Sequence, residues 1–531
     1  MNKTLLFLSL CLITFTLGAQ NNYIACGEQT GIWSYDTVFV GCDVSIPDGA
    51  MLQIEAGTKV VFLGHYAMHV QGTLKAIGIA TDSIIFTVSD TTGFGDISNN
   101  QGGWNGLRFE DTPITNDSSL FDYCRLSFGK AVGDSVNCYG GAMRLLRFSK
   151  VAITHCRLSN NYSFYWGGAI FASKAHILLK DCLITDNYAG NTGMVYGYGG
   201  SLCFVSSNPI LHQLRFHRNA STGIGGAVSF EYSNPEIINC IFINNYSGLG
   251  GALGFLRSEP DHAIANLLIA NNESRFFGGG IACVAASPQM TNLTIVNNTS
   301  AMGGGLYCNE TSDTKLYNSI LYGNQTYDTL GSQVWIWDVY SEPGFYNCDI
   351  QYGYDTFGGS TFHGEYLECT EEDPLFSNPS EGIFKLTQES PCVNSGTIDT
   401  SGLMLPAFDL NFNPRIMYER IDMGVFEYDG PVGFTKKQEN ELYITVYPNP
   451  INEESVVSIG LPKAGNLTIS LFDTKGQRIF QKDFGYQSPS DIRLTLLDLS
   501  FTNRSVQQGV YLLVAACGPF HKAIRLIVNE K

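Results

Sequence analysis

The stretch NNYSGLGGALGF, residues 244–255, places two asparagines and a tyrosine ahead of a glycine pair and a short apolar run. The same pattern returns in NNYSFYWGGAIF, NNESRFFGGGIA and NNTSAMGGGLYC. A single copy would indicate only a turn. Its recurrence at a nearly fixed interval indicates a repeat architecture.

Two series of residues keep the repeat in register. The asparagines recur at intervals of 26, 32, 26, 27, 26 and 26, and the long interval contains the inserted GNTGMVYGY. The series are Asn161, Asn187, Asn219, Asn245, Asn272, Asn298 and Asn324, with glycine pairs beginning at Gly140, Gly167, Gly199, Gly225, Gly250, Gly279 and Gly304.

Apolar residues alternate within each repeat, which is the periodicity of a strand with one buried face. Four inward columns are predicted: Cys156, Cys182, Leu214, Cys240, Leu267, Leu293, Ser319; Leu158, Ile184, Phe216, Phe242, Ile269, Ile295, Leu321; Met143, Ile170, Leu202, Val228, Leu253, Ile281, Leu306; and Leu145, Ala172, Phe204, Phe230, Phe255, Cys283, Cys308. The residues between the last two columns are mixed and are predicted to face outward: Arg144, Phe171, Cys203, Ser229, Gly254, Ala282 and Tyr307.

A period near 26 that holds several short strands suits one coil of a parallel β-helix, in which each strand pairs with its equivalent one coil on. Crossover chirality favours a right-handed path. The glycines are predicted at corners that need positive φ or exclude a side chain. The asparagines are expected to tolerate left-handed geometry and to pass amide hydrogen bonds between coils.

Composition agrees with an all-β chain, with 57 glycines and only 15% charged residues. The first 19 residues carry Lys3, an apolar run and Gly18-Ala19, which predicts a secretory signal peptide. Its removal leaves 30 basic and 49 acidic residues, a net charge of −19. This charge argues against nucleic acid or an anionic membrane as partner. No later segment is apolar for long enough to predict a transmembrane span.

The cysteines divide into two groups. Cys156, Cys182, Cys240, Cys283 and Cys308 fall on inward columns and are predicted to be buried free thiols. Cys26 with Cys42, and Cys369 with Cys392, lie outside the regular coils and are the better disulfide candidates. No Cys or His spacing indicates zinc, so no metal site is predicted.

The repeats resemble the right-handed parallel β-helix family, with GGA-type repeats similar to those of polymorphic outer-membrane proteins and surface adhesins. Upstream, AMLQIEAGTKVVFLGHYAMHVQGTLKAIG, SIIFTV and GWNGLRF are similar to opening coils of bacterial β-helices; downstream, EDPLF, ESPCVNSG and IDMGVFEY are similar to closing coils. The predicted domains are 1–19 signal peptide, 20–130 cap and first coils, 131–428 right-handed parallel β-helix, 429–442 linker and 443–531 C-terminal domain.

The last 85 or so residues form short alternating runs that predict a small β-sandwich. They resemble the type A C-terminal sorting domain of the type IX (Por) secretion system, although SFTNRSVQQ before Gly509 is longer than usual. The residues that carry this resemblance are Tyr447, Pro448, Asn449, Pro450, Asp473, Gly476, Gly509, Tyr511 and Lys522.

The resemblance implies a Bacteroidota-type cargo whose partners are the type IX translocon and sorting machinery. In the family, the sorting domain is commonly removed, and the mature protein is attached to surface lipopolysaccharide or released. The expected location is therefore secreted or attached to the outer-membrane surface.

Two function classes remain for the β-helix. The first is adhesion or carbohydrate binding, with a glycan or a host or cell-surface protein as partner, because aromatic residues near the corners would form a stripe if they projected from successive coils. Packing over the corner is the rival interpretation, and Trp335 and Trp337 share it. The stripe consists of Tyr162, Phe164, Tyr165, Trp166, Tyr188, Tyr196, Tyr198, Tyr246, Phe276 and Phe277.

The second class is a polysaccharide lyase or glycoside hydrolase acting on an acidic glycan, as some similar β-helices are. Such enzymes need clustered outward carboxylates and a basic residue, with Ca²⁺ as cofactor in a lyase. Arg215, His217 and Arg218 lie near Asp181 and Asp186, but no acidic pair repeats at the coil period, so a solvated corner is favoured. His65 and His69 are four apart on a predicted strand, and are either a metal pair or surface histidines.

Overall fold

The computed structural model describes residues 21–191, 197–259, 261–327, 331–417, 420–430, 442–447, 455–473, 476–488, 491–495 and 509–528. The predicted signal peptide lies outside these ranges. The chain divides into two compact units, Met1–Gly430 and Pro431–Lys531. The described residues are nearly all β structure and contain no α-helix, and the short 3-10 turns are Ser135–Cys138, Tyr354–Thr356 and Pro379–Glu381.

The first unit is a parallel β-helix whose coils have up to four faces, here named A to D in chain order. Face A consists of Met68–Val70, Leu107–Phe109, Met143–Leu146, Ile170–Ser173, Leu202–Val205, Val228–Glu231, Leu253–Leu256, Ile281–Val284, Leu306–Asn309, Val334–Ile336 and Gly358–Gly359. Face B consists of Gly31–Trp33, Met51–Ile54, Thr73–Ile77, Ser119–Asp122, Val151–Thr154, Leu178–Lys180, Ile210–His212, Lys315–Tyr317, Gly344–Tyr346 and Tyr366–Leu367.

Faces C and D complete each coil. Face C consists of Lys59–Phe62, Ile84–Val88, Cys124–Ser127, Arg157–Ser159, Leu183–Thr185, Arg215–His217, Ile320–Tyr322 and Asp349–Ile350. Face D consists of Lys130–Ala131, Tyr162–Ser163, Tyr188–Ala189, Ala220–Ser221, Tyr246–Leu249, Glu273–Phe277, Thr299–Ser300 and Gln325–Thr326. Longer strands span faces C and A (Asn22–Glu28, Thr37–Ile46) or faces B and C (Glu236–Ile243, Ile264–Ala270, Gln289–Val296).

The inward columns lie as predicted. Met143 pairs with Ile170, Ile170 with Leu202, and so on to Leu306, each in parallel register one coil apart. The side chains of all four columns are almost fully buried. Because a single coil cannot bury its inner face alone, this stacking provides the hydrophobic stabilisation of the unit.

The ladder asparagines carry hydrogen bonds along the helix axis, as predicted. In each coil, the backbone N–H and the Nδ2 of one asparagine both donate to the Oδ1 of the next, as from Asn219 to Asn245 at 3.0 and 3.1 Å. The left-handed conformation belongs instead to the preceding residue, such as Asn244 at φ 57°. Amide bonding, and not tolerance of positive φ, therefore explains the asparagine at the ladder position.

The corner glycines have two separate causes. The first glycine of a pair has positive φ, as at Gly225 (φ 72°), and a Cβ on the second would lie 2.0 Å from a carbonyl oxygen of the next coil, as at Gly226. In the two glycine triplets the positive-φ residues are Gly278 and Gly303, one position earlier than the predicted Gly279 and Gly304. A run of three glycines hides this register in the sequence.

The predicted outward column of face A is buried, contrary to expectation. Phe171 is 5% exposed and Tyr307 is 2% exposed. The residue before each corner glycine folds over this column, so that Tyr139 and Trp166 both contact the Phe171 ring. Face A is thus covered on its outer side by a second apolar layer.

The closing segment, residues 372–428, forms no parallel coils in its described part, which corrects the prediction from EDPLF, ESPCVNSG and IDMGVFEY. It contains an antiparallel hairpin, Phe376–Asn378 with Ile383–Leu386. Its apolar residues pack on the outside of the helix, where Phe384 and Val425 join a cluster with Leu268. Buried Arg415 anchors it by donating to Asn266 Oδ1 at 2.9 Å and to Glu427 Oε1 at 2.8 Å.

The second unit is an antiparallel β-sandwich with its own core. One sheet contains Tyr443–Tyr447, Val456–Gly460 and Asp491–Thr495; the other contains Arg478–Gln487, Gly465–Phe472, Gly509–Cys517 and Phe520–Val528. Side chains from both sheets, among them Ile459 and Ile469, form one buried cluster.

Candidate binding surface

The predicted aromatic stripe separates into two columns. Trp166 and Tyr198 occupy the corner column, where each pairs with its equivalent one coil on. Tyr162 and Tyr188 are paired in face D, and Tyr246 lies in the same column two coils further along. Tyr196 lies outside the described residues.

Stacking along the helix axis hides the faces of these rings. Trp166 and Tyr198 lie 5.5 Å apart at 6°, and Tyr162 and Tyr188 lie 5.9 Å apart at 12°. Tyr162 is buried, its hydroxyl donates to Gly190 O at 3.0 Å, and burial raises its pKa. Rings stacked in this way cover one another and leave mainly their edges for a ligand. Tyr246 differs, because its column neighbours are Ala220 and Glu273 and its side chain is 41% exposed.

Phe164 and Tyr165 belong to the corner layer as well. Their rings meet edge to face at 4.9 Å, and Tyr165 also contacts Tyr139 at 6.1 Å. Both are partly buried. Their contacts are those of packing over the corner, which was the rival interpretation of the stripe.

A second aromatic cluster at the C-terminal end of face A differs in geometry. Phe277 stacks on Tyr307 at 4.7 Å and 23°, whereas Trp337 meets Phe277 at 71° and Tyr307 at 58°. Trp337 is 50% exposed. Neither neighbour lies parallel to the indole, so the axial stacking that hides the other rings does not cover it here.

The loop that follows Trp337 is held by Asp338. This carboxylate accepts hydrogen bonds from Glu310 N at 2.7 Å, Tyr340 N at 2.8 Å and Ser341 Oγ at 3.2 Å. The backbone N–H of Trp337 donates to Cys308 O at 2.9 Å. The indole is therefore presented by an ordered segment, in which Tyr340 is also exposed.

Arg275 brings polar donors to this cluster. Its guanidinium lies 5.0 Å from the centroid of Phe276, and Phe276 contacts Phe277 at 6.3 Å. Arg275 is exposed. We name the set Arg275, Phe276, Phe277 and Trp337, which packs over buried Tyr307, the Trp337 surface. The sequence pattern placed Phe276 and Phe277 in the stripe and named Trp337, with Trp335, only as sharing the choice between binding and packing, because both follow an irregular insertion between repeats.

The ionisable residues considered for catalysis do not converge on one site, and only Arg218 and Asp186 pair with each other. Arg218 contacts Asp186 through two hydrogen bonds of 2.7 and 2.9 Å, and these, with one from Thr185, outweigh desolvation and lower the pKa of Asp186. Asp181 lies 3.8 Å from His155. Arg215 is exposed on face C, and His217 contacts Asn244 at 3.2 Å.

The two histidines do not form a pair on one strand, contrary to the prediction. His65 lies in the bend before Met68–Val70, with Nε2 at 2.7 Å from Lys130 O, and burial lowers its pKa. His69 lies within the strand and is exposed. Across the described ranges, no group of three or more His, Cys, Asp or Glu residues could hold a metal ion.

The predicted sorting residues lie in the second unit. Tyr447 ends the strand Tyr443–Tyr447, and Pro448, Asn449 and Pro450 fall outside the described residues. Asp473 and Gly476 form the turn after Gly465–Phe472, where Gln477 N donates to Asp473 Oδ1 at 2.8 Å and Gly476 has φ 81°.

The other three sorting residues lie in the strands of the last hairpin. Gly509 and Tyr511 are in Gly509–Cys517, and exposed Lys522 is in Phe520–Val528.

Residues 96–253 match the family model of the right handed beta helix region, and residues 445–529 match that of the secretion system C-terminal sorting domain. The chain joins a right-handed β-helix to a type IX sorting domain. The sorting domain implies secretion by the type IX system and interaction with its machinery. In the described part of the chain, no helix is long and apolar enough to cross a membrane.

Two further similarities were found for this β-helix cargo. One is to metabotropic glutamate receptor-like protein R of Dictyostelium discoideum, with 24% identity over 304 residues that cover 44% of this chain and 18% of that protein. The other is to the enzymatically active domain of bacteriophage CBA120 tailspike protein 4, with 12% identity, a TM-score of 0.18, and coverage of 93% of this chain and 62% of that one. The cargo thus spans less than two thirds of either protein.

Proposed function

We propose that this type IX cargo is a carbohydrate-binding or adhesive protein and that sugar rings stack on Trp337. The observation that carries the proposal is the half-exposed indole, which lies outside the axial ring stacks and is held by the Asp338 loop. A rigid aromatic ring supplies apolar contact area at little entropic cost on binding.

The rest of the Trp337 surface supports a polar, ring-shaped ligand. Arg275 offers several N–H donors beside the aromatic cluster, and its guanidinium is already oriented by Phe276. Sugars combine an apolar ring face with a rim of hydroxyl groups, so they need both kinds of contact. The proposal retains Phe276 and Phe277 from the predicted stripe and moves its centre to Trp337.

The test is binding of the secreted protein to a glycan array, followed by titration calorimetry with the best ligand. Trp337→Ala should weaken binding by about tenfold or more, as truncation of a central aromatic anchor commonly does, while Trp337→Phe should retain part of it. Tyr352→Ala is the control. It removes another exposed ring (62% exposed), which lies just after a face C strand, and this variant should bind like wild type. Equal affinity of Trp337→Ala and wild type would refute the site.

Location and catalysis are tested on the same preparation. We propose that the sorting domain is removed and that the β-helix is attached to the cell surface or released; mass spectrometry of the C-terminus in cell and medium fractions tests this. A lyase or hydrolase would release unsaturated or reducing ends from the bound glycan, in a lyase with Ca²⁺. Turnover abolished by Asp181→Asn but not by Trp337→Ala would favour the enzyme instead.

A further inference from the structure

We propose that Cys348 and Cys369 form a disulfide that staples the last two coils of the β-helix. Both belong to the inward column that begins at Cys156, and they lie one coil apart. The pairs Phe345 with Tyr366, Tyr346 with Leu367 and Asp349 with Thr370 all share an offset of 21 residues, which places Cys348 opposite Cys369.

The two thiols occupy equivalent positions on neighbouring coils. Cys348 Sγ donates to Leu316 O at 3.4 Å and Cys369 Sγ to Phe345 O at 3.5 Å, each a carbonyl of the preceding coil. Neighbouring strands lie about 4.8 Å apart, within the Cα separation that a disulfide spans. The same chain shows this arrangement at its other end, where Cys26 and Cys42 are bonded with a Cα–Cα distance of 5.0 Å.

The predicted partner of Cys369, Cys392, is engaged elsewhere. Its thiol donates to Asp349 Oδ2 at 3.2 Å, and it is fully buried under the closing segment. The prediction of a Cys369–Cys392 bond was therefore wrong for this structure, in which Cys26–Cys42 is the one disulfide of the described residues. The parallel pairing of the coils, which could not be read from the sequence in this irregular region, instead makes Cys348 the neighbour of Cys369.

Solvent exposure of one thiol distinguishes the Cys348–Cys369 pair from the Cys283–Cys308 pair. Cys283 and Cys308 are also in register, but both are completely buried in the middle of the helix. Cys369 lies on the last coil and is only partly buried. The neighbouring Cys348 thiol also lowers its pKa, which increases the fraction of reactive thiolate.

The reaction is a thiol–disulfide exchange with an oxidised dithiol protein or a small disulfide such as cystine. The Cys369 thiolate attacks one sulfur of the reagent and the other leaves as a thiolate. Deprotonated Cys348 then attacks Cys369 Sγ and displaces the first sulfur. Two electrons and two protons thus pass from the cysteine pair to the reagent, which is reduced to two thiols. Export through the oxidising periplasm supplies such reagents.

The bond would protect an end of the molecule that is otherwise prone to open. Coils of a solenoid are stabilised by neighbours on both sides, and terminal coils have only one. Cys26–Cys42 ties the first two coils, and Cys348–Cys369 would tie the last two. The two staples would then bracket the whole stack.

The experiment is disulfide mapping of the full chain recovered from culture medium without reductant. No Lys or Arg lies between residues 316 and 384, so trypsin leaves both cysteines in one peptide, whereas a Glu-specific protease can cut after Glu310, Glu365 and Glu368 and so separates them. We expect a linked pair of peptides containing Cys348 and Cys369. Cys283 and Cys308 should be alkylated as free thiols after denaturation.

Reduction and substitution complete the test. Reduction should accelerate hydrogen exchange of residues 343–370 by roughly 100-fold, from the closure entropy of a loop of this length, and Cys369→Ser should show this rate without reductant. Cys392→Ser should leave the linked peptides intact. Two alkylated thiols in the untreated wild-type protein, even after exposure to cystine, would overturn the proposal, as would loss of the link in Cys392→Ser.

Discussion

Replacing one ladder asparagine should cost far more stability than replacing its neighbour. Asn245 is 1% exposed. Its Oδ1 accepts from Asn219 N and Nδ2, and its Nδ2 donates to Phe216 O at 3.2 Å and to Asn272 Oδ1 at 2.9 Å. Asn245→Ala removes all four bonds. Asn244, the preceding residue of the same type, is exposed, and its side chain makes one hydrogen bond, to His217, while its backbone N–H donates to Ala270 O at 3.3 Å.

The size of the destabilisation depends on which of the neighbouring donors and acceptors keep a hydrogen-bond partner after the substitution. After Asn245→Ala, Asn219 Nδ2 keeps Ile184 O and Asn272 Oδ1 keeps the Asn245 N–H, but the Asn219 N–H loses its acceptor. The orphaned buried amide costs roughly 1–3 kcal/mol and each of the other three lost hydrogen bonds about 1 kcal/mol, so we expect about 4–6 kcal/mol in total. Asn244→Ala places alanine at φ 57°, which costs about 1 kcal/mol.

The assay is hydrogen exchange of the full chain, resolved for peptides covering 216–245, with guanidinium unfolding as a second measurement. Exchange is preferred because coils of a solenoid can open separately. Asn245→Asp is a useful third variant, because it keeps an acceptor and loses the Nδ2 donor. Equal destabilisation by Asn244→Ala and Asn245→Ala, within about 1 kcal/mol, would refute the argument that the ladder and not the turn requires asparagine.

Three further predictions concern buried charge. Burial raises the pKa of Asp422 from 3.8 to about 6 and that of Glu427 from 4.5 to about 8. Because the folded segment holds these protons more tightly than the unfolded one, its stability should fall as pH rises from about 4 to 8. Hydrogen exchange of residues 421–428, corrected for the intrinsic rate, should become faster over this range, and a flat profile would contradict this. Arg415→Met removes five buried hydrogen bonds, to Asn266, Gly424, Val425 and Glu427, and should cost about 3–5 kcal/mol in guanidinium unfolding, whereas Arg218→Met at an exposed pair should cost under about 1 kcal/mol. Lys130→Met removes three bonds to Gly93, Asp96 and Gln101 carbonyls and should make residues 90–102 sensitive to limited proteolysis, with Lys150→Met as the control.

The regular coils could be predicted because each coil buries the same inward positions and makes the same asparagine hydrogen bonds. The inward columns and the asparagine bonds follow from period and burial alone. The sequence could not show which glycine of each triplet has positive φ, because the first and the second glycine fit the pattern equally well. The burial of Phe171 could not be foreseen either, since its cover comes from Tyr139 and Trp166, which lie before the glycines of two different coils. The closing segment has no repeat to reveal its path.

The same reasoning explains why the candidate site lies where the repeat is interrupted. Where two aromatic rings follow one another in a column they stack, as Trp166 does on Tyr198, and each covers one face of the other. Trp337 follows an irregular connection, and its two ring neighbours lie at steep angles to it. The position one coil before Trp337 is Asn309, because Trp335 pairs with Tyr307 and Ile336 with Cys308, so no ring stacks on the indole from that position. A ring introduced at Asn309 and parallel to the indole should therefore abolish sugar stacking on Trp337 even though the surface would become more aromatic.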